Sequence, residues 1–144
     1  MDYKEFINQA AHTIKRAHDL NKQSKKQGLA DLTNAAEAEG LKHRDIFEFG
    51  IQLAADGTQP EYINTILSNL IKTEQNETEK RLKIIKKEAV ICIQKGFNSW
   101  LLLNTLFSLI SDKEQKDVQN ILMDVSCLNN AAFKEFFKMY YEVL

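Results

Sequence analysis

The sequence predicts an all-α fold, a compact bundle of about six or seven helices forming one domain over residues 1–144. Apolar residues recur every three or four positions along most of the chain, and nowhere does a run alternate as a half-buried strand would. One proline and five glycines supply too few turns for a sandwich of short strands. Leu, Ile, Ala, Lys, Glu and Gln dominate, and all are helix formers. A chain of 144 residues buries a proper core without disulfides or a structural metal.

The first helix is expected from about Tyr3 to Lys26, with Ile7, Ala10, Ala11, Ile14, Ala17 and Leu20 on one face. Gly28 interrupts it, and a shorter helix bearing Leu29, Leu32, Ala35 and Ala36 follows, stopped by Gly40. A third begins near His43 and buries Ile46, Phe47, Gly50, Ile51 and Ala54, with Asp56-Gly57 as its end. Thr58 is the expected N-cap of the fourth, Glu61 completing a capping box and Pro60 lying in the first turn. Its apolar face is Ile63, Ile66, Leu67, Leu70 and Ile71. Nothing between Ile71 and Lys95 is a strong breaker, so the spacing fits one long helix or two joined near Gln75 to Thr78, ended by Gly96. Asn98-Ser99 caps a helix from Trp100 to Ile110, and Ser111 with Glu114 is a second capping box before Val118, Ile121, Leu122 and Val125. Asn129-Asn130 precede a last helix rich in Phe133, Phe136, Phe137, Met139, Tyr140 and Tyr141.

Two segments echo each other. Ile63-Asn64-Thr65-Ile66-Leu67-Ser68 and Leu103-Asn104-Thr105-Leu106-Phe107-Ser108 share three polar positions at an offset of about 40, each after a helix that ends at glycine. Two explanations stand: a pair of helical-hairpin repeats, or a chance likeness of two amphipathic helices.

The composition narrows the chemistry. Net charge is −1, which favours neither a polyanion nor a polycation as partner. Cys92 and Cys127 lie in apolar runs, as buried thiols in a reducing compartment do, and a cytoplasmic location is expected. The N-terminal segment lacks the apolar core of a signal peptide, and the stretch from Trp100 to Ile110 is too short to insert in a membrane. His12 and His18, six apart, lie on opposite sides of a helix and cannot chelate one metal; with His43 they are expected to be solvated or locally hydrogen-bonded. There is no phosphate-binding glycine loop, H-E-x-x-H, C-x-x-C or nucleophile signature. Acidic residues such as Glu37, Glu39, Glu74, Glu77 and Glu79 sit in hydrophilic runs, where carboxylates keep ordinary acidity. No enzyme activity and no cofactor are expected.

Basic residues cluster twice. Lys15, Arg16, Lys22, Lys25 and Lys26 face only Asp19, a local charge of +4. Lys80, Arg81, Lys83, Lys86 and Lys87 form the second group, flanked by Glu79 and Glu88, with Glu79 and Lys83 spaced as a helical pair. Few aromatics accompany either cluster, which argues against nucleic acid. The alanine-rich face of the first helix offers little area for a membrane surface. A solvated helix face or a docking site for an acidic protein remains.

The stretch from about Thr13 to Glu77 resembles the cytoplasmic loop of the MotA family, stator proteins of the bacterial flagellar motor within the MotA/TolQ/ExbB group. The residues that carry the likeness are Ser24-Lys25-Lys26-Gln27-Gly28-Leu29-Ala30-Asp31-Leu32, then Asp45-Ile46-Phe47, Gly50 to Gly57, and Ile63, Leu67 and Ile71. In that family a basic position before the glycine and an acidic one after it meet charges on the rotor switch protein. The resemblance puts the basic position at Lys25, beside Lys26. The acidic position falls near Thr33, with Asp31 the nearest carboxylate. The family's four membrane spans are missing, so the resemblance implies a detached docking piece without an ion channel.

The expectation is a non-catalytic interaction domain that meets a rotor or stator protein through Arg16, Lys22, Lys25, Lys26 and Asp31. The alternatives are a helical-repeat adaptor or homo-oligomer using the aromatic C-terminal helix, and a helical domain that binds a small molecule in a cleft.

Overall fold

The computed structural model describes residues 1–32, 45–124 and 131–141, and every regular element among them is helical. In chain order these are α1 (Tyr3–Gln27), a 3-10 turn (Leu29–Leu32), α2 (Ile46–Ala55), α3 (Pro60–Lys72), α4 (Glu77–Gln94), α5 (Ser99–Phe107), α6 (Asp112–Leu122) and α7 (Ala131–Tyr141). The latter part of the short helix expected after Gly28, and with it His43, Val125, Cys127 and Asn129-Asn130, lies outside the described residues. So do the side chains of Met139, Tyr140 and Tyr141.

Helix α1 starts where the Asp2 carboxylate accepts a hydrogen bond from the Glu5 amide at 2.8 Å. It stops at Gly28, whose φ of +88° a β-carbon would oppose. Its inner face carries Phe6, Ile7, Ala10, Ala11, Ile14, Ala17 and Leu20, all buried. His18 and Asn21 extend that stripe and are fully buried as well. The His18 ring lies 4.7 Å from that of Phe133 on α7, and its Nδ1 is 3.6 Å from Asp19 Oδ1. His12 is exposed.

Helix α4 is the axis of the bundle. It packs against α1, α2, α3 and α5, and α1 in turn packs against α5 and α6. The buried stripe Leu82, Ile85, Ala89, Cys92 and Ile93 explains this, because an apolar band at helical spacing must find cover. Where α2 crosses α4, Gly50 has no side chain to spare: a β-carbon there would stand 2.7 Å from one methyl of Val90 and 3.1 Å from Leu67. Phe133, Phe136 and Phe137 of α7 are buried in the chain's own core, with Phe107 of α5 5.5 Å from both Phe136 and Phe137.

The segment from Ile71 to Lys95 forms two helices. Thr73 to Asn76 breaks it, and Asn76 caps α4 by accepting from the Glu79 amide at 2.9 Å. Thr58 does not cap α3, contrary to expectation. Its amide closes the preceding turn on Leu53 O at 3.0 Å and its carbonyl accepts from Gln94 at 2.9 Å. Gln59 is the N-cap, without a side-chain bond, and Pro60 opens the helix. The Ser111–Glu114 capping box forms in both directions. Helix α5 ends at Phe107, short of Ile110, which stays buried in the turn that follows.

The echo takes a different register in three dimensions. The turn at Gly57 has Thr58 N–H on Leu53 O and Gly57 N–H on Ala54 O, while Gly96 has Phe97 N–H on Cys92 O and its own N–H on Ile93 O. This is the same closing motif twice, with φ of +88° at residue 57 and +71° at residue 96, an offset of 39. The buried positions Ile63 and Leu102, Leu67 and Leu106, and Ile71 and Ile110 keep that offset. The Asn-Thr pairs do not. Asn64 is exposed, and its counterpart is the buried Leu103.

Gly50→Ala should destabilise the fold by about 1–2 kcal/mol, because crowding of the stiff Val90 outweighs the gain in helix propensity. Urea denaturation followed by circular dichroism measures it, and the same substitution at an exposed helical site would stabilise.

Candidate docking surface and charge organisation

Four of the five residues of the second basic cluster, all but Lys80, are absorbed into the fold. Arg81 on α4 grips Glu114 on α6 with two nitrogens, at 2.9 and 2.6 Å, and its guanidinium lies 4.6 Å over the Phe6 ring. Lys83 pairs with Glu74 at 2.8 Å across the α3–α4 break, in place of the helical neighbour Glu79. Lys86 meets Asp45 at 2.6 Å, and Lys87 lies 3.4 Å from Glu88 and 3.3 Å from the Ser68 hydroxyl. These bonds join four helices to α4.

The Arg81 guanidinium, first, holds the Glu114 carboxyl down at about 2, against partial burial that pushes it up. Burial raises Asp45, but the Lys86 ammonium and two amides of α2 bring it below the usual carboxylate range. Hydrogen bonding to His18, and then to Lys15, keeps Asp19 low. Burial pushes the Cys92 thiol up to about 11, so it is a packing group.

The first cluster divides. Lys15 bonds Asp19 at 2.8 Å. Arg16 pairs with Glu48 of α2, and its guanidinium lies 5.5 Å over the Phe47 ring. It therefore belongs to a cleft between α1, α2 and α4, apart from the last turns of α1. Lys22, Lys25 and Lys26 are exposed, with no carboxylate partner among the described residues. Their spacing places them on adjoining positions of the helix surface. Lys22 and Lys26, with Asp19, Gln23 and Gln27, line a shallow, open depression of about 340 Å³. Lys25 and Lys26 also sit where the carbonyl end of α1 favours cations. Asp31 is exposed on the 3-10 turn beyond Gly28, anchored by the fully buried Leu32. Thr33, the other position named by the resemblance, lies outside the described residues.

One contributor has no signature in the sequence. Asn21, buried beside these lysines, donates from Nδ2 to the Phe97 carbonyl at 2.8 Å. That bond sets the α4–α5 turn against the end of α1. The first turn of α5 therefore stands at the same end of the bundle, with Trp100 44% and Leu101 42% exposed.

Among the described residues no group of His, Cys, Asp and Glu is arranged to hold a metal ion, and no helix is long and apolar enough to cross a membrane. No family model, curated protein or solved structure matches this chain.

Glu114→Gln should lower stability by about 1–3 kcal/mol at pH 7, the range for a charge-assisted bond. Because folding depresses this carboxyl from 4.5 to about 2, its stabilisation is complete above 4.5 and is lost as pH falls toward 2. The gap between wild type and variant should close over that interval in urea titrations.

Proposed function

We propose that the protein is a non-catalytic interaction domain that docks onto an acidic protein surface through the end of α1. The observation that carries this reading is the contrast between the two basic clusters. Arg81, Lys83, Lys86 and Lys87 each answer a partner within the chain, whereas Lys22, Lys25 and Lys26 stand exposed together without an acidic one among the described residues. Such charges set approach rate and orientation, and affinity comes from a few desolvated apolar anchors. Trp100 and Leu101, held at the same end by the Asn21–Phe97 bond, are suited to that part. The lysines fall within the stretch that resembles the stator loop, so the partner to test first is the flagellar rotor switch protein, with the stator second.

Reversing Lys25 and Lys26 to glutamate should weaken binding at low salt by about tenfold or more, mainly through slower association. The fold should lose no more than about 1 kcal/mol. Leu101→Ser should act on dissociation instead. Surface plasmon resonance against each partner at two salt concentrations separates these effects, and unchanged affinity of the charge-reversed protein at low salt would count decisively against this surface.

A further inference from the structure

The cleft between α1, α2 and α4 has a volume of about 280 Å³ and plays no part in the docking surface. Its charges are sorted by wall. Both carboxylates, Asp45 and Glu48, come from the start of α2, while the cations come from the facing helices, Arg16 from α1 and Lys86 from α4. Arg16 pairs with Glu48, and Lys86 with Asp45. Three of these groups are largely withdrawn from water, with the side chain of Glu48 8% exposed, that of Arg16 25% and that of Lys86 17%, while Asp45, 40% exposed, stands at the mouth. Phe47, under the Arg16 guanidinium, supplies an apolar part of the lining.

Largely buried ion pairs stabilise a fold little more than apolar residues of similar size would. Stability alone therefore gives little reason for the Arg16–Glu48 pair. What the two pairs do create is a short dipole across a small opening, negative on the α2 wall and positive on the α1 and α4 walls. A simple anion entering meets Asp45 and Glu48, and a simple cation meets Arg16 and Lys86, so each gathers repulsion along with attraction. A molecule bearing both charges a few ångströms apart finds its complement on both sides. An ammonium has three donors, so Lys86 can keep Asp45 and still take a ligand carboxylate. The volume lies just below the range of about 300–1,000 Å³ usual for larger ligands, which suits a molecule of amino-acid size.

We propose that this cleft binds a small zwitterion of the α-amino-acid class. The carboxylate lies toward Arg16 and Lys86, the ammonium toward Asp45 and Glu48, and the side chain along Phe47. The site is independent of the docking surface and does not involve Lys22, Lys25 or Lys26.

The test is a titration of the full chain, labelled with nitrogen-15, with each of the common α-amino acids up to about 10 mM, a range that captures weak binding. At least one should shift the amide signals of Arg16, Phe47 and Glu48. Its N-acetyl and carboxamide derivatives, each lacking one charge, should bind at least about tenfold more weakly. Gln9 lies exposed on the lip, outside both ion pairs, so Gln9→Trp should block the response and leave the circular dichroism spectrum unchanged. Silence of the cleft signals toward every free amino acid overturns the proposal. Equal binding of the capped derivatives, or an undiminished response in a folded Gln9→Trp protein, overturns it too.

Discussion

At the crossing of α2 and α4 the absent side chain of Gly50 lets the Val90 methyls come as near as packing permits. The depth of that crossing fixes much else. Asp45 and Glu48 lie at the start of α2, and only with α2 drawn down onto α4 do they reach Lys86 and Arg16. The buried alanines Ala10 and Ala17 on α1, Ala54 on α2 and Ala89 on α4 serve the same end, since small residues let helix axes approach. Larger side chains fill the wider spaces toward the ends, with Phe6 near the start of α1 and the phenylalanines of α7 over α5. A bundle graded in this way has one well-packed solution.

The placement of charge follows from the packing. Helix α4 packs against four other helices, reaches a fifth through Arg81, and carries most of its basic residues on its flanks, where each meets a carboxylate or hydroxyl of a neighbour. Helix α1 runs on toward Gly28, where its outer side faces solvent and offers its lysines no such neighbour among the described residues. Basic residues of similar spacing, Lys22, Lys25 and Lys26 on α1 and Lys83, Lys86 and Lys87 on α4, thus have opposite fates, decided by position in the bundle. The tie from Asn21 to the α4–α5 turn adds partly exposed apolar surface to the end where the charge is uncommitted.

Local features were legible in the sequence, and non-local ones were not. Helical periodicity located the helical segments but left open the break between α3 and α4, while the Ser111–Glu114 capping box is complete within four residues, so its pattern suffices. Thr58 and Glu61 have the same spacing, yet Thr58 is consumed by the turn at Gly57, a competing local interaction that the pattern does not reveal. His18 follows Ile14 by four and Ala11 by seven, so its burial is written in the apolar stripe, while the polarity of an imidazole is equally compatible with solvent or a local hydrogen bond. The bonds from Lys86 to Asp45 and from Arg81 to Glu114 span 41 and 33 residues, and no local rule joins such positions. The division of the α1 cluster depends on the same long-range geometry. Arg16 meets Glu48 only because the fold brings the start of α2 within reach of α1.

The hydrogen bond between Asn21 and Phe97 has a mechanical consequence. It rivets a 25-residue rod, over a turn short of its far tip, to the corner where two shorter rods meet. A load applied to the lysines just beyond it would pass through that rivet into the corner and be shared with the pillar the other helices lean on.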